Sequence, residues 1–135
     1  GSVEYHAACE LRNQVLRIPL GMSLYSEDLS KEKNQQHFGL FDANRELLAC
    51  VIVVAISPTE AKIRQMAVRD DRQGKGLGRS IISHVETYMR DKGFVHSSMH
   101  ARCSAIGFYE KLGYNMVGGE FTEVGLPHVR MEKLL

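Results

Sequence analysis

Three glycines at alternate positions stand among cations in the stretch Asp71-Arg72-Gln73-Gly74-Lys75-Gly76-Leu77-Gly78-Arg79. Glycine lets a backbone turn tightly and approach a ligand closely. A helix that starts at such a turn aims its free N–H groups and positive dipole end at the same place. The chemistry on offer is phosphate binding, most economically of a pyrophosphate. The plain alternative is a solvated surface loop. A nucleotide P-loop needs Lys-Ser or Lys-Thr after its last glycine, but Gly78 is followed by Arg79-Ser80. A dinucleotide fingerprint needs a third glycine where Arg79 stands. What fits is Gln73-x-x-Gly76-x-Gly78.

The elements around this stretch must hold it. Ala61 to Val68 reads as a strand before it, and Arg79 to Lys92 as a helix after it. Leu77, Ile81, Ile82, Val85, Tyr88 and Met89 give that helix a wide apolar stripe for packing on a sheet. Asp91-Lys92-Gly93 stops it. Upstream, Tyr5 to Leu16 has helical spacing, ended by Pro19 and Gly21. Ser23 to Gln36 reads as a loop or a short, partly exposed helix. His37 to Phe41 and Leu47 to Ile56 read as strands joined by a turn at residues 42–45. The second is nearly all apolar and β-branched, as in a strand covered on both faces. Downstream, Phe94 to Ala101 reads as a fourth strand. Ser104 is placed to cap a helix over Ala105 to Leu112, which Gly113 ends. Tyr114 to Gly118 and Val129 to Leu135 read as closing strands, with Glu120 to His128 as a loop limited by Pro127.

The 135 residues suffice for one domain with one core. The net charge of +1 argues against broad binding to nucleic acid or membrane. No apolar run is long enough to span a bilayer, and no signal peptide is visible. Cys9, Cys50 and Cys103 are scattered, with no metal-type spacing, which suits a reducing, cytoplasmic setting. Cys103 beside His100 could be read as a nucleophile, but no supporting motif surrounds it.

The second informative stretch is Ala105-Ile106-Gly107-Phe108-Tyr109-Glu110-Lys111-Leu112-Gly113-Tyr114. Alone it reads as a short amphipathic helix with aromatic anchors. Together with Gln73-x-x-Gly76-x-Gly78 it resembles the GNAT superfamily of acetyl-CoA-dependent N-acetyltransferases. The glycine loop is similar to that family's cofactor motif, and Ala-x-x-Phe-Tyr-x-Lys-x-Gly-Tyr to its C-terminal helix motif. The resemblance implies an α/β (α+β) fold over residues 1–135 as a single domain. Its core is a mixed, mostly antiparallel twisted sheet of about six to seven strands flanked by helices, the first strand short or missing.

The resemblance also implies roles. The backbone of Met66, Ala67 and Val68 would hydrogen-bond the pantetheine arm and polarise the thioester carbonyl. Amides of Gln73, Gly74, Lys75, Gly76, Leu77, Gly78 and Arg79 would hold the pyrophosphate of acetyl-CoA, the cosubstrate. Ala105, Phe108, Tyr109 and Lys111 belong to the cofactor-binding helix, with Phe108 lining the cleft. Tyr109 would protonate the departing thiolate. Many family members carry Asn where Arg102 stands, and its guanidinium either contacts an anion or is solvated. An amine must lose a proton before it attacks, and His128, His100 and Glu123 are the candidate bases. No metal is expected. The partners implied are acetyl-CoA and a primary amine of a small molecule or peptide, with no nucleic acid and no membrane. Exposed sheet edges permit a homodimer. Two alternatives stay open: a non-catalytic CoA or acyl-CoA sensor module, and transfer of another acyl group.

Overall fold

The computed structural model describes residues 3–30, 35–74 and 76–135. Along the chain come α1 (Val3–Arg12), β1 (Gln36–Phe41), β2 (Leu47–Ala55), β3 (Glu60–Val68), α2 (Leu77–Asp91), β4 (His96–Arg102), α3 (Ile106–Lys111), β5 (Asn115–Glu123) and β6 (Leu126–Leu134). Six strands form one open sheet in the order β1-β2-β3-β4-β6-β5, flanked by helices. The pairs β1–β2, β4–β6 and β5–β6 are antiparallel, and β3–β4 is parallel. By contacts the chain divides into two compact units, Gly1–Val54 with Gln65–Val85, and Ala55–Arg64 with Glu86–Leu135.

In the first unit, five successive residues of β2, Ala49 to Val53, are buried, as expected of a strand covered on both faces. Ala8 and Leu11 of α1 pack with Cys50 and Ala67. The helix read over Tyr5 to Leu16 is irregular. After Arg12 it widens into one π turn, Asn13–Arg17, then tightens into a 3-10 turn, Ile18–Leu20, around Pro19. Gly21 ends it at φ 72°. Within the segment read as a loop, Leu24–Ser26 forms a 3-10 turn, with the Ser23 hydroxyl accepting from the Tyr25 N–H. Residues 31–34 of that segment lie outside the described residues.

In the second unit, the faces of the strands differ. Ala61, Ile63, Ser97, Met99, Ala101, Val129 and Met131 are buried. Of their neighbours of opposite parity, Lys62, His100, Arg130 and Glu132 are charged or titratable and half-buried, while Ser98 and His128 are buried. The region read as a loop from Glu120 to His128 is instead a hairpin: β5 runs to Glu123, Val124-Gly125 turns, and β6 starts at Leu126. Val124 and Gly125 both have positive φ, 45° and 76°, which suits a two-residue hairpin turn. Pro127 pairs only with Thr122 of β5; the β4–β6 ladder begins one residue later, at His128. It therefore breaks no bond to β4. Two residues, Gly118 and Gly119, fall in a bulge of β5 that shifts its register, so that Phe121 stands opposite His128.

Ser104 does not cap α3. It sits inside a 3-10 turn, Cys103–Ala105, and Ala105 is the N-cap without a side-chain bond. The other end of α3 is more strongly built. Gly113, at φ 95°, donates to the Glu110 carbonyl, and the Tyr114 N–H reaches the Tyr109 carbonyl at 3.1 Å. This is a Schellman ending, which needs a left-handed residue at Gly113 and an apolar contact across it. Tyr114 packs edge-on against Tyr109, ring centroids 6.0 Å apart, and supplies that contact. The spacing Tyr109-x-x-x-Gly113-Tyr114 is thus a device for fixing the Tyr109 ring.

Candidate functional site

In the first unit, the candidate site follows from the end of β3. Its ladder with β4 runs from Glu60–His96 to Ile63–Met99. Two residues later Gln65 has φ 56°, a left-handed conformation uncommon outside glycine. Met66, Ala67 and Val68 come next, Ala67 buried and the other two half-buried. Gln65 is tied from the side: Arg17 donates to its Oε1 at 3.4 Å and to Glu27 at 2.6 Å. Arg17 is 4% exposed. Asn13 accepts from the Leu24 N–H at 2.8 Å, so the segment between α1 and Glu27 is held at two points. Neither Arg17 nor Gln65 carried a sequence signal, because nothing in their spacing announces a contact across 48 positions.

The glycine loop is closed by its own residues. Arg69 forks between Glu46 (3.1 Å) and Asp71 (2.8 Å). Gln73 donates to the Val68 carbonyl at 3.1 Å and to Asp70 at 3.2 Å. The side chain of Gln73 therefore staples the loop. Gly74 (φ 81°) and Gly76 (φ 78°) turn the chain in the left-handed region, and an added Cβ at either would meet nothing within 4 Å. Glycine is needed there for conformation rather than for room. The Gly76 carbonyl accepts from Ser80 at 3.0 Å and so opens α2, whose first turn holds Leu77, Gly78 and Arg79. Gly74, Gly76 and Arg79 are exposed. Lys75 lies outside the described residues.

In the second unit, Ala105 caps α3, Phe108 is 36% exposed, and Lys111 is exposed in the last turn. Tyr109 is 7% exposed, and burial pushes its hydroxyl up to about 12. It meets Phe108 edge-on at 5.0 Å. Behind it the Tyr114 hydroxyl accepts from Ser97 (2.7 Å) and donates to buried Glu86 (2.9 Å). Lys133 completes the network, donating to Glu86 at 3.1 Å and to the Leu112 carbonyl at 2.8 Å. A cation there also offsets the negative end of α3.

The three candidate bases, separate in sequence, converge in this unit. The Glu123 carboxylate lies 3.0 Å from His100 Nδ1 and 3.7 Å from His128 Nε2. Phe121 stacks on His128 and meets His100 edge-on. Lys62 Nζ approaches the same His100 nitrogen at 3.4 Å. A ring nitrogen cannot donate to one and accept from the other. The shorter contact decides, and His100 Nδ1–H donates to Glu123. Burial pushes the Glu123 carboxyl up, but the His100 hydrogen bond, the two imidazoles in their protonated forms and the Lys62 cation outweigh it and hold it below the usual range. Burial lowers Lys62, reinforced by Arg64 and Arg130 and opposed by Glu123 and Glu60. Among the described residues no group of three or more His, Cys, Asp or Glu side chains could hold a metal ion, and no helix is long and apolar enough to cross a membrane.

Residues 20–135 match the acetyltransferase (GNAT) domain family. An uncharacterized Bacillus subtilis protein, YyaT, is 40% identical over 73 residues, 54% of this chain and 49% of that one. The chain spans about half the length of the first curated relatives it matches. A solved structure from Lactobacillus plantarum, assigned as an N-acetyltransferase, superposes with a TM-score of 0.91 at 24% identity, over 100% of this chain and 93% of that one. An aminoglycoside 6'-N-acetyltransferase complexed with coenzyme A superposes with a TM-score of 0.82 at 16% identity, over 99% and 92%. At these identities the two structures are alike in fold.

Proposed function

The chain belongs to the GNAT acetyltransferase family, and on that premise we propose that it moves an acetyl group from acetyl-CoA to a primary amine of a small molecule or peptide. The observation that carries the reading is the pair of left-handed glycines, Gly74 and Gly76, that precede α2 after β3, whose Gln65 is itself left-handed. Backbone amides of Gln73 to Arg79, with Lys75 among them, hold the pyrophosphate, where the helix dipole favours it. The backbone of Met66, Ala67 and Val68 pairs with the pantetheine arm like an added strand. The Val68 carbonyl is already bonded to Gln73, so Met66 and Ala67 carry most of that pairing. Ala105, Phe108 and Lys111 border the thiol end of the cofactor.

The amine, once neutral, attacks the acetyl carbon in a ternary complex; backbone N–H groups stabilise the oxyanion and the C–S bond breaks. Tyr109 faces the leaving sulfur. At about 12 its hydroxyl stays protonated at neutral pH. A thiol's ordinary value is about 8.5, so outright transfer from Tyr109 is uphill by about 5 kcal/mol. Its first contribution is a hydrogen bond to the developing thiolate, strong because the hydroxyl is shielded from water. His128, the base expected from sequence, acts from a buried position, and its proton reaches it through a neighbour.

The test is acetyl-CoA binding and turnover with a panel of amines, by the intact protein and by Tyr109→Phe. Equal binding with turnover reduced about 100-fold in the variant supports the reading. Binding of CoA with no amine acetylated points to a sensor module, and activity only with other acyl-CoAs to a different acyl group. No binding of CoA removes the foundation.

A further inference from the structure

The proton path rests on the acetyl-transfer reading and follows from how unequal the three clustered bases are. His128 is 3% exposed, and its Nδ1 lies 2.9 Å from the Leu126 carbonyl. A carbonyl only accepts, so Nδ1–H donates to it, and in the neutral form of the ring Nε2 is the acceptor turned toward Glu123 Oε2, 3.7 Å away. In that form two acceptors face each other across a gap that one proton would bridge. The Glu123 side chain is 46% exposed and is the member of the pair that a substrate can reach.

We propose that Glu123 docks the ammonium form of the acceptor and hands its proton to the buried His128. The acceptor is then an amine that arrives as a cation, which Glu123 holds as a charge-assisted hydrogen bond. One N–H bond of the ammonium breaks and its electron pair stays on nitrogen. The proton passes through the carboxylate to His128 Nε2, leaving imidazolium beside carboxylate and a neutral amine. As the amide forms, the second nitrogen proton goes to the thiolate, so the products are amide, CoA thiol and the proton on His128, which returns to water. His100 and Lys62 are positioning residues: His100 holds one carboxylate oxygen at 3.0 Å, leaving the other toward His128. The charged groups facing the pair are Lys62 from β3, His100 and Arg102 from β4, and Arg130 from β6, next but one to His128. The Phe121 ring stacked on His128 shields the imidazole.

The experiment compares the full chain with Glu123→Gln and His128→Gln. Glu123→Gln lowers kcat/KM about 100-fold with a raised KM, because docking and proton removal are both lost. His128→Gln lowers kcat about tenfold with KM unchanged, because docking survives. A readout independent of activity is calorimetric binding of a primary alkylammonium to the CoA-loaded protein, weakened about tenfold in Glu123→Gln and unchanged in His128→Gln. Unchanged alkylammonium affinity in Glu123→Gln overturns the docking. Wild-type kinetics in both variants, with only a lower melting temperature, also overturns it and leaves the cluster as a strut of the hairpin. Glu123-dependent alkylammonium binding in a protein that binds acetyl-CoA but acetylates no amine defeats the acetyl-transfer reading instead, and the relay falls with it.

Discussion

The glycine loop and the polar face of the second unit are built on opposite terms. The loop is defined by backbone: its signature residues are glycines at φ near 80°, and Gln73 serves as a staple. The polar face is defined by side chains: its groups lie on β3, β4, β5 and β6 and meet only through strand register. A backbone site tolerates exchange of its exposed side chains and resists any Cβ at its turns. A side-chain site does the reverse. The difference also separates what a cofactor common to many enzymes requires from what an individual acceptor requires.

Substitutions can break or sharpen this contrast. The largest effect is expected behind the side-chain region. Glu86→Ala strands Lys133 and the Tyr114 hydroxyl around a buried gap and costs about 3 kcal/mol of stability, read as a lower denaturant midpoint. It also loosens Tyr109, so turnover falls further than stability alone accounts for. A cost below 1 kcal/mol would remove the network from the account.

Next comes the loop. Gly76→Val forces a β-branched residue to φ 78°, at a cost of about 2 kcal/mol, and weakens CoA binding about tenfold by calorimetry. Arg79→Gln, by contrast, weakens CoA binding less than about threefold at physiological salt, since the exposed guanidinium is screened. A loss beyond tenfold would make the loop a side-chain site as well, and the contrast would fail.

The smallest effect is acid sensitivity. Glu60 is held below the usual carboxylate range by the Ser98 hydrogen bond and by Arg130, against the opposing push of burial, and Glu123 is held low as described. A carboxylate lowered in the folded state stabilises above its unfolded value, about 4.3, and loses that contribution as pH falls through the folded value. The denaturant midpoint therefore drops below about pH 4.3, and it drops less in a Glu60→Gln, Glu123→Gln double variant. An identical acid limb in both proteins would assign the loss to other carboxylates.

The same contrast governs what could be read without a structure. The strand before the glycine loop, the helix after it, β2 and α3 follow from periodicity and turn residues, because local propensity and the fold agree there. The two closing strands are legible in part, as Tyr114 to Gly118 and Val129 to Leu135, but the tip of the β5–β6 hairpin did not follow. Pro127 suggested a loop, Val124 is an unpromising residue for a left-handed turn, and β5 is exposed on nearly every residue, so no alternation marks it. With the tip unread, Glu123, His100 and His128 remained three separate candidates. Their meeting depends on two registers, Phe121 opposite His128 and Arg102 opposite His128, which no local pattern encodes. The pair Gly118-Gly119 was the available clue, since adjacent glycines inside a strand mark a bulge.

That bulge makes the polar face of the second unit unusually easy to rewrite. Between Val117, opposite Arg130, and Phe121, opposite His128, β5 takes up two residues more than β6. An even offset preserves which side chains face which way, so inward and outward residues keep their faces while every partner changes. Without it, Gly119 would stand where Phe121 does. β6 is held by its long ladder to β4, so such a slip is absorbed by the edge strand alone, where little apolar surface is at stake. Gaining or losing a residue pair at this one place would give a lineage a different set of side chains opposite His128 on an unchanged β4–β6 platform.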